Sequence, residues 1–406
     1  MEELIPVNSE KELEELFKQN YFEVDEDFYF GVKNLEINFP LTLPINEERI
    51  IPESASEKWE ARYSPNNSKQ HFSFSNCQFK YLLELVESES NLQFNSCKFN
   101  FVDAENNYLN GKIRFRECYF YDNVNFRNTT FYDLADFWRS VFYQPTIFFK
   151  TEFLGTTVFS ATAFKENVLF TYSLIDKLIL FRGTKIEKGF DLSTAIRSGE
   201  MGIFDFHVKD YKCLNKNLSE ETYERAISET AEIPIKNKRE TFRILKQEHI
   251  SQNNVVQSIE YKKLEKETLR NELRIKLVEE NKSHVLKKAK YLEVKLDQFN
   301  LWLNKCSNNH GSSYGRAFAF IVLVGWPFFF GSVMATSKYD FYPNFSLAAF
   351  LDGLKYFIQF LLPTHKFDYL GDGVEYGTCF YVFDFIGRLL VGYGIYQFIQ
   401  AFRKFR

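Results

Sequence analysis

Large apolar residues recur through the middle of the chain at alternating steps of five and six, which gives an eleven-residue unit. A helix needs apolar positions three and four apart, and a plain strand needs them two apart along its whole length. The pattern instead predicts short strands joined by corners on four sides, in stacked coils of about 22 residues. Ten phenylalanines follow it without a break and are the predicted solenoid core: Phe115, Phe120, Phe126, Phe131, Phe137, Phe142, Phe148, Phe153, Phe159 and Phe164.

A small or β-branched residue stands two positions before most of these phenylalanines, as at Thr129, Ser140 and Thr162. It must be small because four sides converge on a narrow axis, whereas the polar residues between face water. Three cysteines hold the equivalent position further upstream, and their closer spacing predicts first coils of about 20 residues. Buried cysteine is an ordinary core residue, and no chemistry is assigned to these three: Cys77, Cys97 and Cys118.

The order of small, polar and large residues resembles the pentapeptide-repeat family in a phenylalanine-rich variety, over about 125 residues. The resemblance implies a right-handed quadrilateral β-helix, expected over residues 70–197. The chain departs from the family's usual Leu and Ala-Asp/Asn signature. The register also breaks around Leu82–Ser90 and Asp103–Lys112, where loops or bulges are expected.

Two apolar segments near the C-terminus predict membrane-spanning helices. Ala317–Ala335 carries no charge and is long enough to cross a hydrocarbon core of about 30 Å. Cys379–Phe402 is also apolar but carries Asp384 and Arg388, four positions apart on one helical face, where they can pair. Two interpretations remain open: a structural salt bridge between helices or subunits, and a pair that lines or gates a pore.

The segment between the two spans, Leu347–Leu362, is apolar and about four turns long, so a re-entrant or interfacial helix is expected. The order of long helix, short helix, loop and long helix resembles the two-span ion-channel pore module. The loop lacks the potassium filter sequence TVGYG, so the resemblance does not imply potassium selectivity. Further candidate pore or gating residues in this region are Asp352, Lys355, His365, Asp368 and Asp372. For His365, Asp368 and Asp372 the alternative is a simple solvated loop.

Helical patterns replace the repeat after residue 197, with a capping signal at Ser219 and a break at Pro234. The predicted map is an N-terminal cap region at 1–69, the solenoid at 70–197, a helical linker at 198–312 and a transmembrane domain at 313–406. His284 and His310 have no neighbours suited to metal binding and are expected at the surface.

Composition restricts the classes of function. The net charge is -4, which gives no reason to expect nucleic-acid binding. Nucleophile-elbow, P-loop, zincin and dinucleotide-binding motifs are missing from the sequence, so neither enzyme activity nor a cofactor or metal is expected. The 6 dispersed cysteines suit a reducing compartment, and the N-terminus does not read as a cleavable signal peptide.

The sequence therefore supports two main hypotheses. The first is a homo-oligomeric protein of the cytoplasmic (inner) membrane, with an ion-channel-like or permeabilising pore regulated by a cytosolic solenoid. The second is a membrane-anchored scaffold whose solenoid binds a protein partner. Basic residues at the C-terminal end and before the first span favour a cytoplasmic location for both termini. Mimicry of duplex DNA is disfavoured because the exterior mixes arginine and lysine with acidic residues.

Overall fold

The structure is a computed structural model that describes residues 4–24, 27–45, 50, 70–216, 218–283, 288–337, 346–371 and 373–402. The chain divides into two compact units, Met1–Ile244 and Leu245–Arg406, and each is described by itself. The fold class expected from the sequence is confirmed: a β-solenoid is followed by helices, two of which are apolar and long enough to cross a membrane.

Four sheets form the four sides of the solenoid. The first holds β1 (Ile5–Val7), β4 (Leu35–Ile37), β5 (Leu41–Leu43), β7 (Gln78–Leu85), β9 (Lys98–Asp103), β12 (Tyr119–Phe120), β13 (Val124–Asn125), β16 (Val141–Phe142), β20 (Ala163–Phe164) and β24 (Lys185–Ile186). The second holds β2 (Tyr21–Val24), β3 (Asp27–Lys33), β6 (Gln70–Ser75), β8 (Leu92–Asn95), β11 (Ile113–Arg116), β15 (Ala135–Asp136), β19 (Thr157–Val158), β23 (Ile179–Leu180) and β27 (Met201–Gly202). The third holds β10 (Tyr108–Leu109), β14 (Thr130–Phe131), β18 (Glu152–Phe153), β22 (Leu174–Ile175) and β26 (Ile196–Arg197). The fourth holds β17 (Thr146–Ile147), β21 (Val168–Leu169) and β25 (Phe190–Asp191).

Strands of successive coils pair in parallel, and the register gives the length of each coil. Ala135 lies opposite Thr157, which corresponds to a coil of about 22 residues. In the first coils the step is shorter, since Phe74 lies opposite Phe94 and Phe94 opposite Phe115. Both coil lengths expected from the sequence are thus confirmed.

Phenylalanine rings fill the axis of the solenoid. The ten phenylalanines of the unbroken series are at most 1% exposed. Rings one coil apart lie nearly face to face, with centroids 4.4 Å apart for Phe120 and Phe142. Rings on adjacent sides meet edge to face, as Phe148 and Phe153 do at 5.6 Å. Each such contact contributes about 0.5–1.5 kcal/mol beyond the area it buries, so the stack is a main source of the stability of this unit.

The small inward residues also make a ladder of hydrogen bonds that the sequence pattern did not reveal. The Thr162 hydroxyl donates to the Phe137 carbonyl at 2.6 Å, and that of Ser140 donates to the Phe115 carbonyl at 2.6 Å. Cys97 holds the same position and its thiol lies 3.4 Å from the Phe74 carbonyl. Burial raises the pKa of the Cys97 thiol well above its ordinary value, so this sulfur stays protonated and unreactive.

The sequence pattern placed the start of the solenoid at residue 70. The structure shows that the solenoid begins earlier in the chain. Strand β3 pairs in parallel with β6, and Phe30 lies opposite Phe72. Phe30 and Phe72 are about two coil lengths apart in the sequence. The step between these paired strands is therefore about twice that of the other coils. Helix α1 (Glu10–Gln19) covers the end, with the Phe17 ring 5.5 Å from that of Phe72.

The C-terminal end lies after residue 197, because β27 continues the second sheet and Phe206 stacks on Phe181 at 5.2 Å. Helix α2 (Glu220–Ser228) and residues 235–244 of helix α3 (Ile235–Ser251) then pack on the solenoid. The Asn237 amide donates to the buried Asp191 carboxylate at 2.9 Å. Residues 198–244 therefore belong to the first unit rather than to a separate linker.

The second unit contains the helices α4 (Val255–Ser283), α5 (Lys288–Asn308), α6 (Tyr314–Met334), α7 (Leu347–Phe360) and α8 (Thr378–Phe402). Helices α6 and α8 are about 31 and 37 Å long at 1.5 Å per residue, enough to cross a hydrocarbon core. Only 33% and 28% of their apolar windows are buried inside the protein. The core helix of a soluble protein would be mostly buried, so these helices support association with a membrane.

Candidate functional site in the apolar helices

Asp384 is the centre of a buried ionic cluster in α8. Its side chain is fully buried, although the helix around it is apolar. The Arg388 Nε lies 2.5 Å from one carboxylate oxygen, as the four-residue spacing predicted. The His365 Nε2 lies 2.8 Å from the other oxygen. A loop residue and a helix residue thus share one carboxylate.

Two polar contacts fix the position of His365 in this cluster. Its Nδ1 lies 2.7 Å from the Leu362 carbonyl, and its Nε2 faces Asp384. His365 is thus held between the Leu362 carbonyl of the loop and the Asp384 carboxylate of α8.

Aromatic rings flank both Arg388 and His365. The Arg388 guanidinium carbon lies 4.1 Å from the centroid of the Phe367 ring, a cation–π contact. The Tyr369 ring meets that of His365 edge to face at 4.6 Å. The Arg388 Nη2 is buried and makes no hydrogen bond to any described residue. The loop after α7 is therefore tied to α8 by charge and by ring contacts together.

The remaining candidate pore or gating residues do not join this cluster. Asp352 and Lys355 are exposed on α7, and Asp368 is exposed on the loop. Asp372 lies outside the described residues. His365 was a candidate pore or gating residue, with a simple solvated loop as the alternative. Its side chain is only 4% exposed and points inward, where the buried Asp384 carboxylate is its partner.

A second buried polar cluster joins α5 to α8. The Gln397 amide donates to the Asn304 side-chain oxygen at 3.0 Å, and the Tyr393 hydroxyl donates to the same oxygen at 3.2 Å. The Asn308 amide, fully buried, donates to the Gln397 carbonyl at 3.2 Å. This cluster lies about 20 Å along α8 from Asp384. Its partners are far apart in sequence, so only the fold brings them together.

The expectation for His310 was wrong, because its side chain is 5% exposed rather than on the surface. Burial lowers its pKa to about 4, so it is neutral at ordinary pH. His284 lies outside the described residues. Within the described ranges, no group of three or more His, Cys, Asp or Glu residues is placed to hold a metal ion.

A groove of about 790 Å³ lies on the outer face of the second sheet of the solenoid. Trp138 and Arg182 stand two coils apart on this face, and the small Ser160 lies in the coil between them. The exposed Phe204 ring lies beyond Arg182, 5.4 Å from its guanidinium carbon. At these equivalent positions Trp138, Arg182 and Phe204 are large and Ser160 is small, so the groove is a gap of about one side chain in an outer row of large ones.

No family model, curated protein or solved structure matches this chain.

Proposed function

We propose that the chain is an oligomeric membrane protein that forms an ion-channel-like or membrane-permeabilising pore regulated by its solenoid. The observation that carries the proposal is the buried cluster of His365, Asp384 and Arg388 in an apolar helix. Ionisable groups at such positions are costly and usually face protein or a water-filled path. A buried ionic cluster in an apolar helix therefore agrees with a water-filled path beside it.

The arrangement around the cluster supports a pore. Helix α7 is about 21 Å long, too short to cross a membrane. It packs Phe357 and Phe360 against the long helices. The loop that follows returns to α8 and is fixed there by the cluster. The other side of α7 exposes apolar residues that lipid or neighbouring subunits can cover: Leu347, Phe350, Leu351, Leu354 and Ile358.

The amide cluster of α5 and α8 offers a route for regulation. A movement of α5 shifts Asn304 and Asn308, which hold Tyr393 and Gln397 of α8. In the proposal the solenoid and both termini lie in the cytoplasm, beneath the cytoplasmic membrane. The resemblance to pentapeptide-repeat proteins and to two-span channel modules agrees with this architecture.

Ion flux from liposomes tests the proposal. We expect the purified full-length chain to release a trapped ion faster than empty liposomes do, and Asp384→Asn to change the rate at least tenfold. Glu375→Gln is the matched control, because it removes an exposed carboxylate from the loop that precedes α8 and should leave the rate unchanged. Flux at the background level for the full-length chain under every voltage and pH tested would contradict a pore.

The groove at Ser160 supports a second candidate, a membrane-anchored scaffold for a protein partner. An inserted aromatic side chain would fill the gap between Trp138 and Arg182, the type of buried anchor common in interfaces. Ser160→Tyr should fill the gap from within and prevent binding. Cross-linking in membranes should then lose a partner with Ser160→Tyr but keep it with Ser198→Tyr, at an exposed site outside the groove. Equal cross-linking by both variants would argue against this use of the groove.

A further inference from the structure

A cleft of about 470 Å³ lies between α4 and α5 and carries an uncompensated positive charge. Arg270 and Arg274 line it from α4, and Lys295 lines it from α5. No acidic side chain is among the residues that line it, and none of the three cations forms an ion pair with a described residue. Elsewhere on these helices cations do have carboxylate partners, as in Lys305 with Glu267 at 3.1 Å.

Three cations on facing helices repel one another unless an anion lies between them. Asn271 and Gln298 add amide groups to the same cleft. Guanidinium groups bind phosphate and carboxylate oxygens through paired N–H donors, and an ammonium adds a point charge. The cleft therefore fits an anionic group with several oxygens, of which phosphate is the best match.

Helix α5 also has an open apolar side next to this cleft. Four large apolar residues with the spacing of one helical face form a stripe and are 45–59% exposed: Leu292, Leu296, Phe299 and Trp302. The opposite side of α5 is buried at Val294 and Leu301. Lys295 lies between the stripe and the cleft, so the charged and apolar surfaces are continuous.

The position of α5 indicates what covers these surfaces. The helix ends at Asn308, and the apolar helix α6 begins at Tyr314, only a short turn later. An exposed stripe with Trp and Phe beside basic residues is typical of helices that lie at a membrane surface. We propose that the cleft and the stripe together bind an anionic membrane lipid, whose phosphate lies among the three cations and whose acyl chains cover the stripe.

Other ligands would either neutralise the cationic cleft or cover the apolar stripe, but not both. A free phosphate neutralises the cations and leaves the stripe in water. A second copy of the chain covers the stripe but adds no anion to the cleft. An anionic lipid does both. Lipid binding at this site does not depend on conduction, because a non-conducting anchor can bind lipid in the same way.

Thermal unfolding of the full-length chain in detergent, with added lipid, tests the proposal. We expect phosphatidylglycerol to raise the melting temperature of the second unit more than phosphatidylcholine does. The triple variant Arg270→Gln, Arg274→Gln, Lys295→Gln should lose this difference, with at least tenfold weaker half-saturation by phosphatidylglycerol. The matched control removes three exposed cations of the first unit, Lys177→Gln, Lys209→Gln and Lys216→Gln, and should keep the wild-type response.

Two further measurements separate lipid binding from a folding defect and from binding of free phosphate. Arg270→Lys with Arg274→Lys keeps the charge and should keep most of the response, which also guards against a folding defect. Inorganic phosphate alone should give little stabilisation. A response to phosphate equal to that of the lipid, or an unchanged lipid response in the triple glutamine variant, would overturn the proposal.

The stripe has its own readout. In vesicles of phosphatidylglycerol with brominated acyl chains, Trp302 should be quenched by contact with the chains. Trp302→Phe should therefore remove part of the total tryptophan quenching. If Trp302→Phe leaves the quenched fraction unchanged, the stripe does not contact lipid and the proposal fails.

Discussion

At the scale of single residues, Asp384 is the buried carboxylate that Arg388 and His365 of the second unit share. The spacing of Asp384 and Arg388 predicted their pairing, and the structure confirms the contact. His365 lies 19 residues away, so no local spacing could link it to that carboxylate. Because all three groups are largely withdrawn from water, each depends on the others for its charge compensation.

Asp384→Asn should therefore destabilise the second unit by about 3–5 kcal/mol, since it leaves the largely buried Arg388 guanidinium without its carboxylate. Thermal or denaturant unfolding in detergent measures the effect. Adding Arg388→Met to this variant should recover part of the loss, because the buried charge is removed along with its partner. A double variant as unstable as the sum of both single variants would contradict the pairing.

His310 gives the second unit a dependence on pH. Its pKa of about 4 in the folded protein lies below the ordinary value of 6.5, so the unfolded chain takes up the proton first as the pH falls. Stability should be full above pH 6.5 and decline toward pH 4, by at most about 3 kcal/mol. Melting temperatures across this range should fall less in His310→Gln than in the wild type.

At the scale of elements, the solenoid uses its small inward residues in two ways. Thr162 donates a hydrogen bond to the carbonyl one coil back, whereas the equally buried Thr157 hydroxyl makes no hydrogen bond to a described residue. The same substitution at the two sites thus separates hydrogen bonding from packing.

Thr162→Val should destabilise the first unit by about 0.5–1.5 kcal/mol, because the Phe137 carbonyl loses one of its two donors and keeps only the Ser140 backbone N–H. Thr157→Val removes an unsatisfied buried hydroxyl and should be neutral or stabilising. Equilibrium unfolding of both variants measures the difference. Equal effects would mean that the ladder adds nothing beyond packing.

The long apolar helices approach each other closely at glycine. A Cβ on Gly387 would lie 2.5 Å from the Phe360 ring and 3.0 Å from the Phe328 Cβ. A Cβ on Gly392 would meet no atom closer than the Pro363 ring at 4.0 Å. Gly387→Ala should therefore cost about 1–3 kcal/mol through overpacking, and Gly392→Ala should be tolerated. Thermal unfolding in detergent that ranks the two variants the other way would contradict this packing.

At the scale of the whole molecule, the chain consists of two compact units with different sources of stability. The first depends on stacked rings and hydrogen-bond ladders between coils. The second depends on apolar helices joined by a few buried polar clusters.

Scanning calorimetry in detergent should therefore show two transitions. Thr162→Val should lower only the transition of residues 1–244, and Gly387→Ala only that of residues 245–406. A single transition that both variants lower equally would show that the two units unfold together.

The sequence by itself determined the solenoid and the two apolar helices, because each depends on a local pattern. An eleven-residue period defines which side chains face the axis, and an uninterrupted apolar run defines a segment that can cross a membrane. Neither conclusion requires knowledge of distant contacts.

The tertiary structure alone decided the limits of the solenoid, the place of His365 in the Asp384 cluster and the whole of the amide cluster. The coil that includes Phe30 escaped detection because its step to Phe72 is twice the usual length. His365 with Asp384, and Asn304 with Gln397, are joined only by the packing of separate helices and loops. Such contacts depend on how elements meet in space, which no periodicity along the chain records.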